Sequence, residues 1–149
     1  MVITKSVSIN APPERIWDVI TDLRNAKFWA PGFEDYPYIS PDWPKEAANA
    51  LWRYHSGPLH FDFNLILKKS ERRRELRIAN RSLFGDGLEI YRFHCSSEQT
   101  TIEYEATSKP NLLGLLFMSM MARQLEKQMD RTVSNLKCYC ERNRTNGFE

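Results

Sequence analysis

The sequence predicts an α+β domain, in which a seven-stranded antiparallel sheet carries one long C-terminal helix on its apolar face. Strand patterns follow one another from residue 49 to residue 108, separated by short turns. A single apolar stripe then runs from Leu112 to Arg142, with Met118, Met121, Leu125, Met129, Val133, Leu136 and Cys140 at three- and four-residue intervals. Short helical patterns break the series of strands only once, after the first strand.

That first strand covers residues 2–10, where Ile3, Val7 and Ile9 share one buried face. Pro12 and Pro13 suit a first helical turn, which does not use the N–H that proline lacks. Ile16, Val19, Ile20 and Leu23 mark one side of this helix, with Trp17 beside it. The stretch TDLRNAKFWAPGF, residues 21–33, predicts a second short helix ending before Pro31. It is an unusual stretch, because Phe28, Trp29 and Phe33 sit around Pro31 and Gly32 where turns normally hold small polar residues. FEDYPYIS reads as a weak strand, and Pro37 puts it at a sheet edge. SPDWPKEAA, residues 40–48, reads as loop.

Turns set the strand registers. A tight turn at Gly57-Pro58 places Tyr54 opposite Phe61 and Trp52 opposite Phe63. A turn over Ser70–Arg73 sets Leu67 against Leu76, Leu65 against Ile78, Phe63 against Asn80 and Phe61 against Ser82. A turn at Ser97-Glu98 sets Phe93 against Ile102, Tyr91 against Tyr104 and Glu89 against Ala106. Joining the middle strands through Gly85-Asp86 sets Ile78 against Phe93, Asn80 against Tyr91 and Ser82 against Glu89. These registers agree on one inward face: Trp52, Tyr54, Phe61, Phe63, Leu65, Leu67, Leu76, Ile78, Tyr91, Phe93, Ile102 and Tyr104. A one-residue slip would turn a whole strand over. The other face carries Arg53, His55, His60, Asp62, Asn64, Arg77, Arg92, His94 and Glu103, with Arg92 opposite Glu103.

Composition narrows the function classes. A net charge of +2 over 149 residues is too mild for a nucleic-acid partner, and Arg72-Arg73-Arg74, flanked by Glu71 and Glu75, reads as a solvated hairpin tip. Three cysteines, Cys95, Cys138 and Cys140, give no disulfide framework. The N-terminus has a strand pattern rather than a signal peptide's apolar core. The longest apolar run, Leu112 to Met121, is too short to span a bilayer. The expectation is a soluble, reduced, cytoplasmic protein, monomer or homodimer, with one domain over 1–149 and a frayed tail at about 143–149. No phosphate-binding loop, dinucleotide turn, HExxH or Ser-His-Asp arrangement is present, so no cofactor is expected. His55 and His60 face each other with Asp62 nearby, but on a solvated face with no fourth ligand, so no metal is expected either.

This order of elements, with APPERIWDVITDLRNAKFWAPG after the first strand, resembles the START-like superfamily of polyketide cyclases/dehydrases, lipid-transfer proteins and plant hormone receptors. The resemblance rests on Ala11, Pro12, Glu14, Ile16, Trp17, Asp22, Trp29, Pro31 and Gly32, and on Val133–Lys137 in the closing helix. It covers nearly the whole chain. It implies the helix-grip fold, a seven-stranded sheet wrapped around the long helix, with a cavity between them whose mouth lies near the short helices and hairpin loops. On that reading Phe28, Trp29 and Phe33 line or gate the mouth; otherwise they plug the end of the core.

The expected occupant is a small hydrophobic molecule such as a lipid, a quinone or a polyketide-like compound. Its contacts would be the inward aromatics Trp52, Tyr54, Phe61, Phe63, Tyr91, Phe93 and Tyr104, with Ile78, Asn80 and Ser82 on the sheet and Phe117, Met118, Met121 and Leu125 on the helix. Glu89 stands out on this face. In an apolar cavity its carboxyl has a raised pKa and can act as a general acid or base, as a polyketide cyclase/dehydrase requires. The competing readings are strand-end solvation of Glu89, and a cofactor-free interaction module with a collapsed cavity. The surplus apolar residues Leu115, Leu116 and Phe117 fit a cavity lid, a transient membrane contact or a dimer contact.

Overall fold

The computed structural model describes residues 1–96 and 98–145, with side chains as far as Arg142. The chain runs β1 (Val2–Ile9), α1 (Pro13–Thr21), a 3₁₀ turn (Leu23–Asn25), α2 (Ala26–Trp29) and β2 (Phe33–Ile39). It continues through β3 (Asn49–Ser56), β4 (Leu59–Glu71), β5 (Glu75–Ser82), β6 (Gly85–Cys95), β7 (Thr100–Pro110) and α3 (Leu112–Thr145). All seven strands form one antiparallel sheet in the order β1-β7-β6-β5-β4-β3-β2. Residues 143–145 of the tail continue α3, while 146–149 and Ser97 lie outside the described residues.

Local chemistry explains the short elements. Pro13 opens α1, and Ile16, Trp17, Val19 and Ile20 put its inner face into the core. The Asp22 carboxylate ends the helix by accepting the Arg24 N–H and pairing with its guanidinium at 2.8 Å. β2 is an edge strand, and its register slips between Asp35 and Tyr38, where Pro37 has no N–H for the ladder.

The β3–β4 and β6–β7 registers match the expected pairs, including Tyr54 with Phe61 and Tyr91 with Tyr104. The two central registers differ. The β4–β5 turn is Arg72–Arg74, with Arg73 at φ 68°, and a bulge at Lys68 shifts the ladder, so Leu67 faces Ile78 and Leu65 faces Asn80. The β5–β6 connection is Leu83-Phe84 rather than Gly85-Asp86. Ser82 therefore faces Gly85, Asn80 faces Gly87, and Glu89 faces Ile78 instead of Ser82. Beyond the bulge the displacements are even, two residues for β4–β5 and four for β5–β6, so the inward side chains keep their face. The arginine run at the hairpin tip is more than solvated: Arg73 pairs with Glu14 at 2.5 Å and Arg72 with Asp18 at 3.3 Å, both on α1. Exposed pairs of this kind add little to stability.

The core lies at one end of the sheet–helix sandwich, where Ile16, Trp17, Leu67, Leu76, Ile102, Leu136 and Cys140 are buried together. There α3 is fastened to β1 and its neighbours. Lys5 pairs with Asp130 at 2.8 Å, Lys137 Nζ donates to the Ser8 carbonyl at 2.6 Å, and the Glu141 carboxylate accepts the Asn10 N–H at 2.9 Å. At its other end α3 is capped by Asn111, whose Oδ1 accepts the Gly114 N–H at 2.8 Å. Asn111 also binds the β5–β6 turn, through its N–H to the Phe84 carbonyl at 3.0 Å and its Nδ2 to the Leu83 carbonyl at 2.9 Å.

That junction requires glycine at 114, because a Cβ there would lie 1.9 Å from the Phe84 carbonyl oxygen. The Cβ cannot rotate away and the atom it meets is backbone, so relief means lifting the helix off the turn. Gly114→Ala is expected to cost roughly 1–3 kcal/mol in thermal or urea unfolding; an unchanged midpoint would show that the contact is dispensable.

Candidate functional site

At the end away from the core, sheet and helix separate and enclose a cavity of about 330 Å³. This is near the lower end of the range of roughly 300–1,000 Å³ usual for small-molecule sites. It is a size for one or two rings rather than a two-chain lipid. Trp52 and Tyr54 of β3, Phe61, Phe63 and Leu65 of β4, and Ile78, Asn80 and Ser82 of β5 form much of the floor. Glu89 and Tyr91 of β6 and Tyr104 and Ala106 of β7 complete it. Phe117, Met118, Leu125, Gln128 and Met129 of α3 form the roof, and Ile20, Leu23, Trp29 and Pro31 close the inner end.

Glu89 is the carboxyl enclosed here. The Tyr104 hydroxyl donates to Glu89 Oε1 at 2.6 Å. Glu89 is partly buried, and the accessible area it keeps opens onto the cavity. Burial pushes its pKa above the usual carboxyl range, and the Tyr104 hydrogen bond opposes part of that rise. Burial, and secondarily the Glu89 charge, hold the Tyr91 and Tyr104 phenols well above their ordinary value. Burial alone pushes Tyr54 up to about 12. All three phenols therefore remain hydrogen-bond donors at neutral pH.

Several polar groups around this carboxyl are not used by the protein. The hydroxyls of Tyr91 and Tyr54 and the amide of Asn80 make no protein hydrogen bond among the described residues. Asn80 has room because Gly87 stands opposite, where a Cβ would come within 2.7 Å of its Oδ1. Trp29 Nε1 and Ser108 Oγ are buried without partners, and both residues border the cavity. An unmet buried donor costs about 1–3 kcal/mol.

Thirteen of the expected contact residues meet around the cavity together with Glu89: Trp29, Trp52, Tyr54, Phe61, Phe63, Ile78, Asn80, Ser82, Tyr91, Tyr104, Phe117, Met118 and Leu125. Four do not line it. Phe28 points outward and stacks on Tyr139, with ring centroids 5.3 Å apart. Phe33 packs edge-on against the outer side of Trp52 at 4.6 Å and supports that wall. Phe93 lies in the core against Trp17 at 5.6 Å. Met121 is half-buried on α3 outside the lining. Sequence reasoning missed Met1, Ile3, Phe84, Gln128 and Thr132. Gln128 was detectable as a polar residue within the apolar stripe; its Nε2 donates to the Pro31 carbonyl at 3.1 Å.

On the outer face His55 and His60 sit with rings 6.0 Å apart, and His60 Nδ1 is 2.6 Å from Glu34 Oε1. Among the described residues no group of three His, Cys, Asp or Glu side chains is placed to hold a metal ion. Nor is any described helix long and apolar enough to cross a membrane.

A sheet gripping a helix over a cavity is a shape that known proteins share, and the sequence profile of one family, "Polyketide cyclase / dehydrase and lipid transport", matches residues 1–141. The chain belongs to that family. Among solved structures it is similar to the Zhui aromatase/cyclase of Streptomyces sp. R1128, with TM-score 0.74 and 12% identity over 96% of this chain and 94% of that one. A Thermus thermophilus protein gives TM-score 0.72 and 16% identity over 100% of both chains. A START superfamily protein from Mycobacterium smegmatis gives 0.69 and 11%, over 93% of this chain and 98% of that one. At these identities the likeness is one of fold. No curated protein matches the sequence.

Proposed function

We propose that this protein binds a small, ring-containing hydrophobic molecule that carries a hydrogen-bonding oxygen, of quinone or polyketide-like type. The observation that carries this reading is the cavity itself: aromatic walls around the Glu89–Tyr104 pair, with Tyr91, Asn80 and Tyr54 left unsatisfied beside it. An apolar body fills the space between floor and helix, and a carbonyl or hydroxyl oxygen takes the free donors. Native mass spectrometry of the purified protein, with its organic extract analysed alongside, is the test. The expected result is a co-purifying compound, or saturable one-to-one binding of an aromatic ketone such as 2-acetylnaphthalene. A clean apo mass with no saturable binding overturns the proposal.

The 2.6 Å contact between Tyr104 and a desolvated carboxyl favours a second reading, in which the family's cyclase/dehydrase chemistry takes place here. Ionised Glu89 would remove a proton α to a ketone, and the neighbouring phenols would donate to the enolate oxygen. Glu89→Gln is then expected to abolish turnover of a polyketide-like ketone while leaving its affinity within a few-fold. Unchanged turnover in Glu89→Gln would sink this assignment.

A further inference from the structure

From Leu112 to Ala122 α3 carries no charged residue, and only part of this segment faces inward. Phe117 and Met118 line the cavity, and Gly114 is buried on the β5–β6 turn. Leu112, Leu115, Leu116 and Met120 are left 78%, 56%, 60% and 83% exposed. Leu83, 67% exposed, stands next to them because Asn111 holds its carbonyl. Large apolar side chains gathered at one end of a molecule differ from the scattered single ones that are normal on a surface.

The charges around this tip are ordered. At 100° per residue Leu112, Leu116 and Met120 form the outermost row of the helix, and the same row continues as Arg123 and Lys127. Both cations are exposed, and neither forms an ion pair among the described residues. Lys109, at the foot of the helix, is likewise exposed and unpaired; Asp86, opposite it in the sheet, pairs instead with Arg81 at 2.9 Å. Two exposed carboxylates lie near this row: Asp130, further along the row itself, is taken by Lys5 at 2.8 Å, and Glu126, on its flank, also acts on Lys5. An apolar tip bordered by a basic belt is the pattern of an interfacial anchor: leucines enter the acyl boundary while long cationic side chains reach back to the headgroups.

We infer that this end of the molecule docks on the surface of an anionic lipid bilayer, with Leu83, Leu112, Leu116 and Met120 inserted and Arg123, Lys127 and Lys109 against the headgroups. A second copy of the chain would cover the leucines but bring the same cations to the contact, with little beyond Glu126 and the Lys5-paired Asp130 to neutralise them. An anionic bilayer satisfies both halves of the pattern. Docking stands apart from the cavity reading, because none of these seven side chains lines the cavity, and vesicle binding needs no bound ligand.

Co-sedimentation of the full chain with vesicles tests this, using phosphatidylcholine alone and phosphatidylcholine mixed with phosphatidylglycerol. Binding is expected to the mixed vesicles and to weaken as salt rises. Leu116→Glu with Met120→Glu is expected to weaken it about tenfold or more. Arg123→Gln and Lys127→Gln are expected to weaken it by about fivefold each. These exposed positions lie outside the cavity lining, so the melting temperature and the solution affinity for 2-acetylnaphthalene should not change. Absence of binding to the mixed vesicles, or equal binding by wild type and variants, overturns the inference. So does a concentration-dependent dimer that Leu116→Glu dissolves in a protein that ignores vesicles.

Discussion

Replacing Ala106 with Phe is expected to remove ligand binding while leaving the protein folded. Ala106 lies on β7 opposite Glu89 and opens onto the cavity floor between larger side chains. A phenyl ring there extends into empty space rather than into packed core. The overpacking penalty of a tight interior, roughly 1–3 kcal/mol, should therefore be largely offset by newly buried apolar surface. Phe also suits a strand. The ring would occupy the volume beside the Glu89–Tyr104 pair, where the ligand's polar end is placed. Affinity for 2-acetylnaphthalene should fall about a hundredfold or more, equivalent to at least about 2.7 kcal/mol. Titration of the quenching of tryptophan fluorescence, with Trp29 and Trp52 both in the cavity wall, measures the affinity, and a thermal melt checks the fold. Wild-type affinity in a folded Ala106→Phe would mean that the ligand binds elsewhere.

The second large effect is in the pH dependence of stability. Burial raises the Glu89 pKa, so over a window above the ordinary carboxyl range the folded chain keeps a proton that the unfolded chain has released. Stability then falls as pH rises through that window. The Glu89 contribution is fully present below the unfolded carboxyl value and lost above the folded one. Glu14, Asp22, Glu75 and Glu141 are shifted the other way, so their stabilising effect is complete once pH exceeds the ordinary carboxylate range. Glu89→Gln retains an acceptor for the Tyr104 hydroxyl and removes the ionisation. The variant should melt with wild type at acid pH and increasingly above it as pH rises past the ordinary carboxyl range. Each unit of separation between folded and unfolded pKa corresponds to about 1.4 kcal/mol, or about 2–4 °C for a chain of this size. A melting difference that does not vary with pH would show that Glu89 does not titrate differently in the folded state.

The face of the sheet was legible in the sequence because strand side chains alternate, and any even displacement preserves the alternation. For the same reason the pattern could not detect that β5 pairs two residues away from the expected position on β4 and four away on β6. The β5–β6 turn is made of Leu83 and Phe84, apolar residues that carry no turn signal, while Gly85-Asp86 beside them carries a strong one. Glu89 was found as the odd carboxyl on an apolar face, but its partner was not. Tyr104 reaches it diagonally, since Ala106 and Ile78 are its direct neighbours in the ladder. The aromatics of the opening loop divided for a similarly local reason. Successive residues on the single turn of α2 point about 100° apart, which sends Trp29 inward and Phe28 onto Tyr139. Residues brought to the cavity from far along the chain, such as Met1 and Gln128, depend on how α3 is rotated about its axis, and no local pattern encodes that.

The fastenings of α3 make it a beam resting on two piers. One pier is the β5–β6 turn gripped by Asn111, and the other is the set of contacts from Asp130 to Glu141 with β1 and its neighbours. Between them the span passes over open space, braced by Gln128 on Pro31. A load under the middle of such a beam lifts it, whereas a load longer than the span strikes a support. The cavity is therefore more tolerant of a ligand's girth than of its length, and the distance between the piers sets the longest molecule it admits.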